Sequence, residues 1–145
     1  MLNCHQVAGY FLAKQDTEAG DTISNLKLQK LVYYAQGYHL AIFDKPLFNE
    51  QIEAWMHGPV VPELYQKFKA YGQGAITSVE SIDLVHFNEE TISFLDEIYS
   101  IFNQYSAWSL RNMTHEESPW KEHEADAGII SLDSMRTFFK TQLNS

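Results

Sequence analysis

Leu26-Lys27-Leu28-Gln29-Lys30-Leu31-Val32-Tyr33-Tyr34-Ala35-Gln36-Gly37-Tyr38-His39-Leu40-Ala41-Ile42-Phe43 is the stretch that decides the fold class of this chain. Leu28, Leu31, Val32, Ala35, Tyr38 and Ile42 recur at intervals of three and four. That spacing puts them on one broad apolar stripe of an α-helix. Ser24 or Asn25 can cap its start, and Asp44-Lys45-Pro46 ends it. The pattern predicts the central helix of a domain, with other elements packed around it. Gly37 costs about 1 kcal/mol relative to alanine inside a helix. Its presence suggests that another element approaches closely there.

Working outward, Val7, Tyr10 and Phe11 predict a short helix from His5 to Lys14. The polar segment Gln15 to Asn25, with Gly20, reads as a loop. After the central helix, Leu47-Phe48 and Ile52 to Met56 are expected to pair as a small hairpin around Asn49-Glu50-Gln51. Ile52, Ala54 and Met56 then face one side, and Glu53, Trp55 and His57 the other. Gly58-Pro59 is expected to break the strand. Pro62, whose missing N–H is not needed in a first turn, opens a helix to Tyr71 that buries Leu64, Tyr65 and Phe68. Gly72 suits its end. Gln73 to Phe87 reads as a loop with a short strand. Asn88 caps a helix to about Tyr105 on Ile92, Leu95, Ile98 and Phe102. Ser106 caps a shorter one with Leu110 and Met113. Ser118-Pro119 starts a turn carrying Trp120. Ser131 caps a last helix with Met135, Phe138, Phe139 and Leu143. The sum is a mainly α chain: a compact single-domain helical bundle over residues 1–145, with a small β-hairpin near residues 47–57.

The 145 residues are 45% apolar, enough for a packed interior. No apolar run approaches the ~20 residues of a membrane-spanning helix. The first residues lack the basic and apolar regions of a secretory signal. The single cysteine, Cys4, excludes an internal disulfide. These features together lead to an expected cytoplasmic location, with no membrane partner. The net charge of −9 removes the electrostatic attraction that dominates non-specific nucleic-acid binding. It tilts the balance towards a basic protein partner.

Candidate chemistry is sparse. His57, His115, Glu116 and His123 are the residues a metal-dependent hydrolase would draw on. However, there is no His-Glu-x-x-His run, and Pro119 interrupts the path from His115 to His123. Cys4 has no motif around it, and no Gly-x-Ser-x-Gly elbow exists. Gly72-Gln73-Gly74 is too short for a phosphate loop and lacks a following lysine. No catalytic residue, metal or cofactor is expected. Among the aromatics, Tyr33 and Trp55 lie off the main stripe and serve either as surface anchors or as a second core face. The corner Trp55-Met56-His57-Gly58-Pro59-Val60-Val61-Pro62 is stiff, because prolines fix φ and glycine permits a turn. It holds Trp55 and His57 in place, for architecture or for recognition.

Three stretches carry a family resemblance. The first is Leu26 to Gly37. The second is Ala54-Trp55-Met56-His57-Gly58-Pro59-Val60-Val61-Pro62-Glu63-Leu64-Tyr65. The third is Leu110 to Trp120, with Thr114-His115-Glu116 and Pro119-Trp120. In this order they resemble the Panacea domain, the SocA-like or GepA-like antitoxin domain of bacteria and phages. His57 departs from the aromatic residue that many relatives carry there. The resemblance implies a non-catalytic protein-binding domain that neutralises a protein toxin encoded nearby by binding it directly. The alternative it implies is an adaptor that delivers the toxin to a cellular protease. Tyr33, Trp55, His57, Pro59, Tyr65 and Trp120 are the residues expected to contact the partner.

Overall fold

The computed structural model describes residues 1–77 and 79–143. Ser78, inside the stretch expected to be a loop, lies outside the described residues, as do Asn144 and Ser145. Seven α-helices and one hairpin are present among the described residues: α1 (Cys4–Leu12), α2 (Asn25–Phe43), β1 (Glu53–Trp55), β2 (Gly58–Val60), α3 (Pro62–Phe68), α4 (Glu89–Phe102), α5 (Ala107–His115), α6 (Ser118–Lys121) and α7 (Leu132–Gln142). The architecture is the expected mainly α one, with a small antiparallel sheet. No helix among the described residues is long and apolar enough to cross a membrane.

Helix α2 is the axis. The Ser24 side chain accepts from the Lys27 N–H at its start, and Asp44 ends it in a left-handed conformation. The expected stripe understates its burial. Gln29, Lys30, Tyr33, Tyr34, Gln36 and His39 are buried as well, whereas Ile42 is exposed. Helices α1, α3, α4, α5 and α7 and strand β2 all pack on it. An element facing elements on every side must bury polar groups too, and each then needs a partner. Gln36 Oε1 accepts from Leu47 N–H at 2.7 Å, and its Nε2 donates to the Phe48 carbonyl at 2.8 Å. Gln29 Oε1 accepts from the Val61 N–H at 2.9 Å.

The glycine in α2 has the role its presence inside the helix suggested. A Cβ at Gly37 would lie 2.1 Å from Cε2 of Phe139 on α7. The Phe139 ring lies against this point and packs edge-on to Tyr33 and Tyr34. Tyr34 stacks on Phe102 of α4, with centroids 4.2 Å apart. Tyr33 is therefore a second core face of α2.

The hairpin lies further along the chain than expected. Glu53, Ala54 and Trp55 pair with Val60, Pro59 and Gly58. Leu47 and Phe48 are buried but form no strand. Pro59 does not break β2, and the reason is its register. It faces Ala54, whose own N–H turns the other way, to the Gly128 carbonyl. At such a position the missing N–H of proline removes no ladder hydrogen bond. Met56 and His57 form the turn. Met56 consequently points to solvent instead of sharing the inward face of Ile52 and Ala54.

Candidate partner interface at the hairpin tip

Gly58 positions the tip. Its φ of +106° suits glycine, and a Cβ there would lie 2.6 Å from Lys30 Cε and 2.7 Å from Thr114 Oγ1. The hairpin can thus lie directly on α2 and α5. Beneath it, the wholly buried Lys30 donates from Nζ to the Pro59 carbonyl at 3.0 Å. Burial, with the positive charge of Arg111 nearby, pushes the Lys30 ammonium down to about 7.

A groove of about 780 Å³ opens beside the tip. Trp55, Met56 and His57 form one wall. Tyr65 and Lys69 come from α3 and the turn after it, and Ala107 and Trp108 from the start of α5. The Trp55 ring packs edge-on to Tyr65 at 5.1 Å, and its Nε1 donates to Glu53 Oε1. His57 lies 5.8 Å from Trp108, and the Arg111 guanidinium lies 4.5 Å from the same Trp108 ring centroid. Met56 is 77% exposed and Trp108 54%. Large apolar side chains held beside a groove by fixed neighbours are the usual anchors of protein interfaces.

The six expected contact residues divide. Trp55, His57 and Tyr65 come together on this groove. Tyr33 is fully buried, with its hydroxyl donating to Glu117 Oε1 at 3.0 Å, so the surface placement is corrected to a core one. Pro59 is buried too, facing α2 through its carbonyl. Trp120 is half-buried behind the hairpin. It stacks on His115, with centroids 3.9 Å apart, and its Nε1 donates to the Trp55 carbonyl at 2.7 Å. It braces the tip from the rear. Met56 and Trp108 were missed. Trp108 could have been noticed as the aromatic off the Leu110 and Thr114 face of its helix.

Glu117 gathers the other polar cluster. Tyr33 and Tyr34 both donate to its carboxylate, and burial raises its pKa to about 7 against the lowering effect of those two bonds. The hydrolase set does not assemble. Among the described residues, His57, His115, Glu116 and His123 form no group of three ligand atoms within 4.8 Å of one another. His123 Nδ1 is instead engaged with the Pro119 carbonyl, and Glu116 reaches Lys121.

A model of the family described as antitoxin SocA-like, Panacea domain, matches residues 28–121. That span includes most of α2, the hairpin, α3 and α5. Over 50 residues the chain is 52% identical to antitoxin SocA of Caulobacter vibrioides (strain NA1000 / CB15N). The aligned stretch is 34% of this chain and 27% of the length of that protein. No solved structure matches the chain.

Proposed function

The chain belongs to the antitoxin SocA-like family with the Panacea domain, and on that premise we propose that it is an antitoxin that neutralises a protein toxin by binding it directly. The observation that carries the reading is the groove at the hairpin tip. Met56 and Trp108 stand exposed there beside His57, and Trp55 and Tyr65 line the wall. The tip is braced by Lys30 and Trp120, so little ordering is needed on binding. The charge of −9 suits a basic partner and would speed encounter with it. The toxin is taken to be the product of a neighbouring reading frame. Binding of this kind needs no catalysis.

Co-expression tests the reading. The neighbouring product alone should arrest growth, and this chain should relieve the arrest and co-purify with it. Relief with a shortened toxin half-life and no stable complex would replace direct neutralisation by delivery to a protease. A harmless neighbouring product that does not co-purify would remove the antitoxin reading.

A further inference from the structure

Outside the groove, a mixed cluster of donor groups joins the starts of α1 and α3. Cys4 and His5 open α1, and Glu63 lies in the first turn of α3. One carboxylate oxygen, Glu63 Oε2, is in contact with His5 Nε2 and lies 3.9 Å from Cys4 Sγ. The thiol, imidazole and carboxylate ligand atoms all lie within 4.8 Å of one another. Ligand atoms around one tetrahedral zinc ion stand roughly 3–4 Å apart, given metal–ligand distances of about 2.0–2.3 Å. The cluster thus needs only small movements to close on an ion.

One further observation favours a cation here. A second carboxylate, Glu50, accepts the Cys4 backbone N–H at 2.9 Å and adds negative charge beside the thiol. Thiolate, imidazole and carboxylate are all favourable donors around a divalent cation.

We propose that Cys4, His5 and Glu63 form a divalent transition-metal site, suited to zinc, that clips α1 to α3. Sulfur, nitrogen and oxygen donors together select a borderline ion such as zinc over magnesium or calcium. On binding, the Cys4 S–H bond breaks, the sulfur keeps the electron pair as a thiolate ligand, and the proton leaves to solvent. Three protein ligands leave a fourth position for water.

Cobalt(II) tests the site directly. The chain has a single cysteine, so a thiolate-to-cobalt charge-transfer band reports this cluster alone. Chelator-stripped protein titrated with cobalt should develop that band at one equivalent, and zinc should abolish it and raise Tm. Cys4→Ser should lose the band. Glu63→Gln changes an exposed side chain and so guards against misfolding. It should weaken binding by more than about tenfold, since even an outer-shell partner of a metal is worth about 10–100-fold. A titration that never gives the band overturns the site, even if histidines elsewhere bind cobalt. Equal zinc-induced Tm shifts in the wild-type protein and Glu63→Gln would overturn it too.

Discussion

Lys30 is the residue on which the hairpin rests. Its ammonium is held down at about 7, against 10.5 in the unfolded chain. Between those values the unfolded state holds the extra proton, so this side chain makes stability rise with pH through the window. Below about 7 both states are charged, and the full cost of burying the charge is present. Lys30→Met should therefore gain most over the wild type near pH 6.5, with the gain shrinking towards pH 9. Urea unfolding across that range measures it, and a difference independent of pH would contradict it. Glu117 has the opposite sign. Its pKa is raised from 4.5 to about 7, so its contribution is full below 4.5 and is lost as pH climbs to about 7. Glu117→Gln should remove that loss from the same profile. Gly37 gives a third test at this scale. Alanine is the better helix former by about 1 kcal/mol, but overpacking a filled core costs about 1–3 kcal/mol. A Cβ would lie 2.1 Å from the Phe139 ring, which is fully buried against Tyr33, Tyr34 and Tyr38. Gly37→Ala should lower Tm, and a higher Tm would show that the core yields there.

At the scale of elements, buried glutamines join α2 to the chain on either side of the hairpin. Gln36→Leu keeps the bulk but strands the Leu47 N–H and the Phe48 carbonyl. A buried group left without its partner costs about 1–3 kcal/mol, so a loss of at least about 1 kcal/mol is expected. Denaturant midpoints measure it, and an unchanged midpoint would mean that water reaches these groups. The helices were legible because their signals are local. Ser24, Asn88, Ser106 and Ser131 each cap the helix assigned to them, through a side-chain oxygen and a backbone N–H three residues on. Long-range partners were not legible. Lys30, Gln29 and Gln36 lie off the apolar stripe, and their partners Pro59, Val61 and Leu47 are distant in sequence. The hairpin moved for a related reason. Gly58-Pro59 has the composition of a break, and only the register opposite Ala54 makes proline harmless. At the groove, Trp55 and His57 could be named from the corner, and Tyr65 only from the family resemblance. Trp108 reaches them from a distant helix; its place off the Leu110 and Thr114 face marks it as outward-facing but does not reveal that meeting. Cys4-His5 became a cluster only when Glu63 folded beside it.

For the whole molecule, α2, packed by α1, α3, α4, α5 and α7, carries a braced hairpin at its surface, and the net charge is −9. Binding of a basic partner should weaken as salt rises, because screening shortens the reach of surface charge. The central claim is that the groove beside Met56 and Trp108 takes the toxin. The most direct measurement is calorimetric titration of the neighbouring gene product into the wild-type chain and into a Met56→Ala, Trp108→Ala variant. Both side chains are exposed, so the variant should keep its fold, as circular dichroism can verify. Interface anchors of this kind are each worth about 2 kcal/mol or more. The expected result is saturable binding by the wild type, weakened by more than about thirtyfold in the variant. Equal affinity for both proteins would contradict the account.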